Sequence, residues 1–238
     1  NYNSVSAATV AETDDLTSSA FTPSAGQTLT PAEIGAQFFI TDLRMDSETP
    51  EMILTDAARE LGFSAADKLN DDLVGDMASL TGGTVGAAGT VITWGYVAAA
   101  IAQARNANKS TSVPLVAVIH GYQAAVLAKA ASVAGATVIT TPATNDLITQ
   151  KGMAQAFSFY GVPIYQVFNA VDSGTDFKGG VFPRDAIALD WRRPIRIEAQ
   201  RDASRRGIEL NMSAVYGHGV WRPELGVVMY FDAATPTS

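Results

Sequence analysis

The chain has 238 residues, a formal net charge of -8, two histidines and no cysteine. Those values exclude disulfide staples and thiolate metal sites and fit a reducing compartment, while the length allows one large domain or two smaller ones with a substantial core. No apolar run reaches the roughly 18 residues that a membrane span needs, and the polar, acidic start "NYNSVSAATVAETDD" does not read as a signal peptide.

The chain does not begin with methionine, so processing or further upstream sequence is expected. Charge is uneven along it: residues 1–80 hold fourteen acids and three bases, residues 81–170 one acid and four bases, and residues 171–238 nine of each. An acidic first third repels nucleic acid instead of gripping it. No repeat of solenoid period is present.

Residues 1–43 read as a long extended ribbon. "VSAATV" and "IGAQFFITD" are strand-like, the latter alternating Ile34, Ala36, Phe38 and Ile40, with a Thr-, Ser-, Asp- and Pro-rich stretch between them. A two-stranded ribbon alone is marginal in water, so it needs a surface to lie on.

Residues 49–78 predict a helix. Thr49 caps it, Pro50 suits its first position, and Ile53, Ala57, Leu61, Ala65, Leu69, Leu73 and Met77 recur every four residues as a packing stripe. Asp56, Glu60, Asp67, Asp71 and Asp76 are expected on a solvated face. Gly62-Phe63-Ser64 is the expected kink, with Ser64 and Asp67 as a second cap.

The glycines of "LTGGTVGAAGTVITWG" do not space as a dinucleotide fingerprint, and no lysine follows as in a P-loop, so the segment is expected to be a flexible connector. Residues 94–171 then read as a compact α/β unit: helix "WGYVAAAIAQARNAN", buried strand "SVPLVAVIH", helix "YQAAVLAKAASVAG", and strands in "TVITT" and "YGVPIYQVFNAV". "GGVFPRDAIALDWRRP" is the return connection.

The last third carries "RIEAQRDASRRGIEL", with Arg196, Arg201, Arg205 and Arg206 set against Glu198, Asp202 and Glu209. So compensated a tract is a poor footprint for DNA phosphates. Ile195, Ile197 and Ala199 alternate with polar residues, 202–207 reads as a turn, and Ile208, Leu210, Met212, Ala214 and Tyr216 resume the alternation. The arginines therefore decorate the outer face and turn of a β-hairpin, either solvated or at an interface. "GVVMYFDA" follows as the expected third strand of a meander on the same sheet.

Chemistry is not legible. His120 in "VIHGYQ" and His218 in "YGHGV" read as structural hydrogen-bonders, and no nucleophile elbow, zinc-binding helix or calcium loop occurs. The helix carboxylates single out no catalytic pair. No catalytic, cofactor-binding or metal-binding residue is assigned, and no cofactor is expected.

The order of parts resembles the major capsid proteins of tailed bacteriophages, whose fold is named after phage HK97. The resemblance covers nearly the whole chain and rests on "VAVIHGYQAAVL", "GMAQAFSFYGVPIYQVFNAV" and "RIEAQRDASRRGIELNMSAVYGHGVWRPELGVVM". It implies an α+β fold with an extended E-loop ribbon (residues 1–43), a peripheral P-domain spine helix and connector (44–93), a compact α/β axial A domain (94–190) and P-domain closing strands forming a β-meander (191–238). It implies a non-enzymatic subunit that self-assembles into pentamers and hexamers of an icosahedral shell around packaged double-stranded DNA.

Against the family pattern, which has an N-terminal arm before the E-loop, the chain is expected to begin inside the first E-loop strand, the arm being cleaved, disordered or absent from this sequence. The first lysine is Lys68 on the spine helix, so no cross-link through an E-loop lysine is expected, and cohesion falls to non-covalent contacts or a cement protein. Implied partners are further copies of the chain, with a cement or decoration protein, a scaffold and a portal as further candidates. DNA is apposed without specific binding and no membrane is involved. The implied location is the virion, after assembly in the host cytoplasm. Candidate inter-subunit contacts are Arg201, Arg205 and Arg206 on one subunit and Glu12, Asp14 and Asp15 on another. Two alternatives remain: an encapsulin-like compartment, and an oligomeric α/β enzyme holding an anionic substrate on Arg192, Arg193 and Arg196.

Overall fold

Every four-residue step along an α-helix overshoots a full turn by about 40°, so a stripe repeating every four residues cannot stay on one face of a long helix. The computed structural model, which describes residues 28–47, 50–107, 113–133, 155–168 and 175–236, shows the consequence. Helix α2 (Pro50–Asp76) runs 27 residues as one element, without the split expected at Gly62. Its buried face begins with Leu61 and Ala65, but passes to Val74 and then to Met77 just beyond its end, while Leu69 and Leu73 stay half-buried. The short helix α1 (Asp42–Ser47) precedes it.

α2 is seated in two cores. At Leu61 and Ala65 it packs on Ile40, Leu210 and Met212 of a three-stranded antiparallel sheet. That sheet has the order β1 (Ala32–Thr41), β8 (Gly207–Val220), β7 (Ile187–Asp202). The alternation read in Ile34, Ala36 and Ile40 is the reason: these side chains share one face with Ala214, Met212 and Ile208 across the β1–β8 ladder. At its other end Val74, with Met77 and Leu80 beyond, packs on Phe177, Val118 and Val228 of a second sheet.

That second sheet has six strands in the order β2 (Thr84–Gly86), β9 (Val227–Asp232), β6 (Asp176–Pro183), β3 (Leu115–His120), β5 (Val162–Val167), β4 (Gln155–Phe159). β2–β9 and β3–β5 are parallel, and the other pairs are antiparallel. Helices α3 (Trp94–Ala107) and α4 (Gly121–Val133) contribute Val97, Ala100, Ile101, Ala104, Ala124 and Leu127 to the largest core, against Ala117, Ile119, Val181, Met229 and Phe231 of the strands. The indole N–H of Trp94 donates to the Leu127 carbonyl at 3.2 Å and ties the two helices together. β4 and β5 form the strand pair expected there, joined by Tyr160 and Gly161 with φ of 49° and 74°, the left-handed pair of a tight hairpin turn.

Three expectations need correction. The glycine-rich connector is partly sheet: Val85 is buried in β2 beside β9, and a Cβ on Gly86 (φ 90°) would lie 2.4 Å from the Tyr230 carbonyl oxygen. Its glycines serve close approach instead of flexibility. "GGVFPRDAIALDWRRP" is no mere connection, since it supplies most of β6 and the first half of β7. "GVVMYFDA" does not complete a meander with β7 and β8: β9 crosses to the six-stranded sheet and lies between β2 and β6. Val227, Val228, Met229 and Phe231 are all buried, so this strand is apolar on both faces and needs a central position, which the half-solvated hairpin sheet does not offer. The expected strands "VSAATV" and "TVITT" lie outside the described residues.

Candidate interaction surface

The β7–β8 hairpin is built as expected and extends from Ile187 to Val220, paired in register across its length apart from shifts between Trp191 and Arg196. Its turn is fixed by Asp202, whose carboxylate accepts the backbone N–H of Ser204 at 2.9 Å, the Ser204 hydroxyl at 2.6 Å and the N–H of Arg205 at 3.1 Å. The Ser204 hydroxyl foremost, then the Arg205 N–H, holds the Asp202 carboxyl below its ordinary range. Arg206 takes a left-handed φ of 50°, and its carbonyl accepts the Asp42 N–H at 2.9 Å, joining the tip to the end of β1.

The arginines are largely answered within the chain. Arg201 grips Asp42 with both terminal nitrogens at 2.8 Å each. Arg205 pairs with Glu209 at 3.1 Å and lies 4.0 Å from the centroid of the Phe39 ring. Arg192 pairs with Asp190, Arg193 with Glu33, and Arg196 with Glu198. An anion-binding cluster of Arg192, Arg193 and Arg196 therefore finds each cation already matched. Among the described residues the Arg206 side chain makes no hydrogen bond or ion pair. Glu12, Asp14 and Asp15 lie outside the described residues. Arg201, Arg205 and Arg206 are thus brought together at one tip, each exposed.

The face of the three-stranded sheet that carries α2 is only partly covered. α2 reaches all three strands, yet the alternating apolar residues of β7, expected to be buried, remain open at Ile195 and Ile197, 41% and 39% exposed, and Phe38 of β1 is 40% exposed. Trp191, 40% exposed, lies against Tyr216 at 5.2 Å between ring centroids. Between β1 and α2 an open groove of about 430 Å³ is floored by Phe38, Phe39, Ile53 and Ala57 and rimmed by Arg44, Asp56 and Glu60.

The histidines are held as structural groups. His120 is buried among the rings of Tyr122, Phe168 and Phe177, and its Nδ1 accepts the Tyr122 N–H at 3.2 Å. Burial pushes its pKa below the ordinary value, against a hydrogen bond to the Phe168 backbone, so it stays neutral. His218 meets α2, where Asp76 lies 2.9 Å from its Nδ1. Asp76, expected on the wet face, therefore turns toward β8. So does Asp72, which accepts the Tyr216 hydroxyl at 2.7 Å and pairs with Lys68. The sequence carried one usable signal for this seam: β8 alternation sets Tyr216 and His218 on the helix-facing side. Among the described residues no cluster of ligating side chains suits a metal ion, and no helix is long and apolar enough to cross a membrane.

A family model described as phage capsid protein matches residues 25–229. The chain belongs to the phage capsid protein family. The structure agrees: a chain from Mycobacterium phage Che8 superposes with a TM-score of 0.67 at 19% identity, over 83% of this chain and 70% of that one. A chain from the capsid of cyanophage P-SCSP1u gives 0.65 at 14% identity, over 99% and 82%. A chain of the holo-SrpI encapsulin complex from Synechococcus elongatus gives 0.63 at 10% identity, over 87% and 76%. No curated protein matches the chain. The mixed α and β architecture is thus the HK97-like fold of phage capsids, and this capsid protein is a structural subunit of an icosahedral shell and a component of the virion.

Proposed function

We propose that the subunit assembles as pentamers and hexamers into a closed shell that encloses double-stranded DNA, formed in the host cytoplasm before the DNA enters. The observation that carries this reading is the uncovered apolar residues at both edges of the three-stranded sheet, Phe38 on β1 and Trp191, Ile195 and Ile197 on β7, in a chain whose family builds shells. A sheet face left this open in a lone subunit fits a neighbour laid across it. In this reading α2 and the three-stranded sheet form the peripheral part and the six-stranded sheet with α3 and α4 the axial part. Residues 1–43 form the ribbon that reaches a neighbour. The boundaries 44–93 and 191–238 then need amendment, because β2 and β9 join the six-stranded sheet.

The hairpin tip is the proposed charged contact. Arg201 and Arg205 keep exposed guanidinium edges beyond their own acids, and Arg206 is uncommitted among the described residues, so Glu12, Asp14 and Asp15 of a neighbour suit them. Exposed pairs of this kind contribute about 0.2–1 kcal/mol each, and a closed shell repeats them at every interface. A cement protein, a scaffold and a portal fit the same reading, as does DNA lying against the acidic chain without specific contacts.

Negative-stain electron microscopy with light scattering on the purified chain tests the proposal. Closed shells, tubes or rings of five and six subunits support it, and a small oligomer that persists when upstream coding sequence is restored overturns it. Joint reversal of Arg205 and Arg206 to Glu is expected to weaken assembly, and normal shells from that variant refute the tip pairing. The likeness to an encapsulin favours one second reading, a compartment for protein cargo. Particles from the native source that protect duplex DNA from nuclease support the first reading, and particles filled with protein and free of DNA support the second.

A further inference from the structure

The seam between α2 and β8 holds a compact set of titratable groups that shell building does not itself require. Asp72 and Asp76 stand one turn apart on α2, and His218 enters from β8 between them. Its Nδ1 lies 2.9 Å from Asp76 Oδ2 and its Nε2 3.9 Å from Asp72 Oδ2. Tyr216, on the same face of β8, donates its hydroxyl to that Asp72 oxygen at 2.7 Å, while Lys68 pairs with the other. The carboxylates are 19% and 17% exposed and the imidazole 32%, so the acids are largely sheltered yet solvent protons reach the ring.

Among the described residues no other packed element adds a charge beside the ring. β7 sets Leu189 opposite His218, the neighbouring Asp190 is engaged by Arg192, and the turn after α2 supplies Met77, Ala78 and Ser79. The groups facing the imidazole are therefore two carboxylates, one phenol and, through Asp72, one ammonium. A neutral imidazole donates from one nitrogen only. With Nδ1–H given to Asp76, the Nε2 lone pair is aimed at a carboxylate, acceptor against acceptor. A second proton turns that nitrogen into a donor and sets a cation between two anions.

We infer that His218, Asp72 and Asp76 form a proton-operated latch between α2 and the three-stranded sheet, closed on both carboxylates when the imidazole is charged and held by Asp76 alone when it is neutral. In the unfolded chain the imidazole has neither carboxylate beside it. Charging the ring therefore adds the Asp72 contact in the folded chain alone, and loss of that proton withdraws it.

Amide hydrogen exchange read by mass spectrometry tests this on the full chain at about pH 6 and about pH 8, with intrinsic exchange rates corrected. Peptides spanning 66–80 and 210–220 are expected to be about two- to fivefold better protected at the lower pH, with no such change in β3 and β6. His218→Gln keeps an amide donor near Asp76 and removes the titration, so its seam protection is expected to be the same at both values. Equal protection in the unaltered chain, or a pH difference retained in H218Q, overturns the latch. Should H218Q fail to fold, Asp72→Asn decides: it keeps the shape of the seam and is expected to shrink the difference, and an undiminished difference overturns the proposal.

Discussion

The two sheets of this capsid protein solve burial in different ways. The six-stranded sheet is covered on one face by α3 and α4 and on the other by the end of α2, and its core side chains Ile119, Ile164, Phe177 and Phe231 are closed to solvent. The three-stranded sheet relies mainly on α2, has a smaller core of Leu61, Ala65, Ile40, Leu210 and Met212, and leaves Phe38, Ile195 and Ile197 open. The first unit closes its core within the chain, and the second leaves part of its apolar face open. Order along the chain does not separate them: β2 and β9, from opposite ends, are neighbours in the larger sheet.

The contrast can be broken most directly at Phe231. Phe231→Ala removes a fully buried ring from the larger core and is expected to cost about 3–5 kcal/mol, measured by denaturant unfolding of the dispersed subunit. Leu61→Ala in the smaller core is expected to cost about 2–3 kcal/mol, toward the lower end of such losses because the half-open site relaxes more easily. Equal costs at the two positions would erase the distinction.

Tyr216→Phe sharpens the comparison at the seam and is expected to cost about 1 kcal/mol. It also has a signature in acid. Burial raises the pKa of Asp72, but Lys68 and the Tyr216 hydroxyl together outweigh it and hold the carboxyl below its ordinary value of 3.8. A depressed carboxylate contributes stability that is present above that value and lost as pH falls through the lower, folded one. The unaltered chain should therefore lose stability below about pH 4, and Y216F, with less to lose, should show a shallower acid limb. In the other direction burial, aided by Asp72, pushes the Tyr216 phenol up to about 12, so the hydroxyl remains a donor across the neutral range and this contribution fades only between pH 10 and 12. The smallest effect is expected from Arg201→Ala, under about 1 kcal/mol for an exposed bidentate pair, read in the dispersed subunit as a change that vanishes in high salt.

Much of this was legible in residue order. The period-2 pattern of β1 and β8, the long helix beginning at Pro50, and the hairpin turn at 202–207 all follow from local chemistry, because each depends on neighbours within a few residues. What local pattern does not encode is the third dimension of the packing. "GVVMYF" reads equally well as the next strand of a meander or as a central strand elsewhere, and only its burial on both faces decides. The wet face assigned to Asp76 fails for a related reason. A carboxylate on an amphipathic helix is presumed solvated unless a donor meets it, and the donors here, Tyr216 and His218, lie 142 to 144 residues away. The hairpin arginines are matched in two ways: Arg192, Arg196 and Arg205 by acids that the sequence already sets within four residues, and Arg193 and Arg201 by Glu33 and Asp42, which reach β7 only because β1 and β7 flank β8.

A helix of 27 residues is a strut about 40 Å long. It is pinned at Leu61 and Ala65, near its middle, to one sheet and at Val74, near its end, to the other, whereas the turns before Leu61 carry half-buried Ile53, Leu54, Ala57 and Ala58 and exposed Met52. The strut is thus a cantilever, rigid at its root and lightly held at its free end. Because displacement grows with distance from the root, a tilt of about 5° over the roughly 15 Å from Leu61 to the first turn moves that end by only about 1 Å, and the same bend rooted at Val74 would move it a little more than twice as far. Where the helix is clamped therefore sets how finely subunits in unequal surroundings adjust their fit.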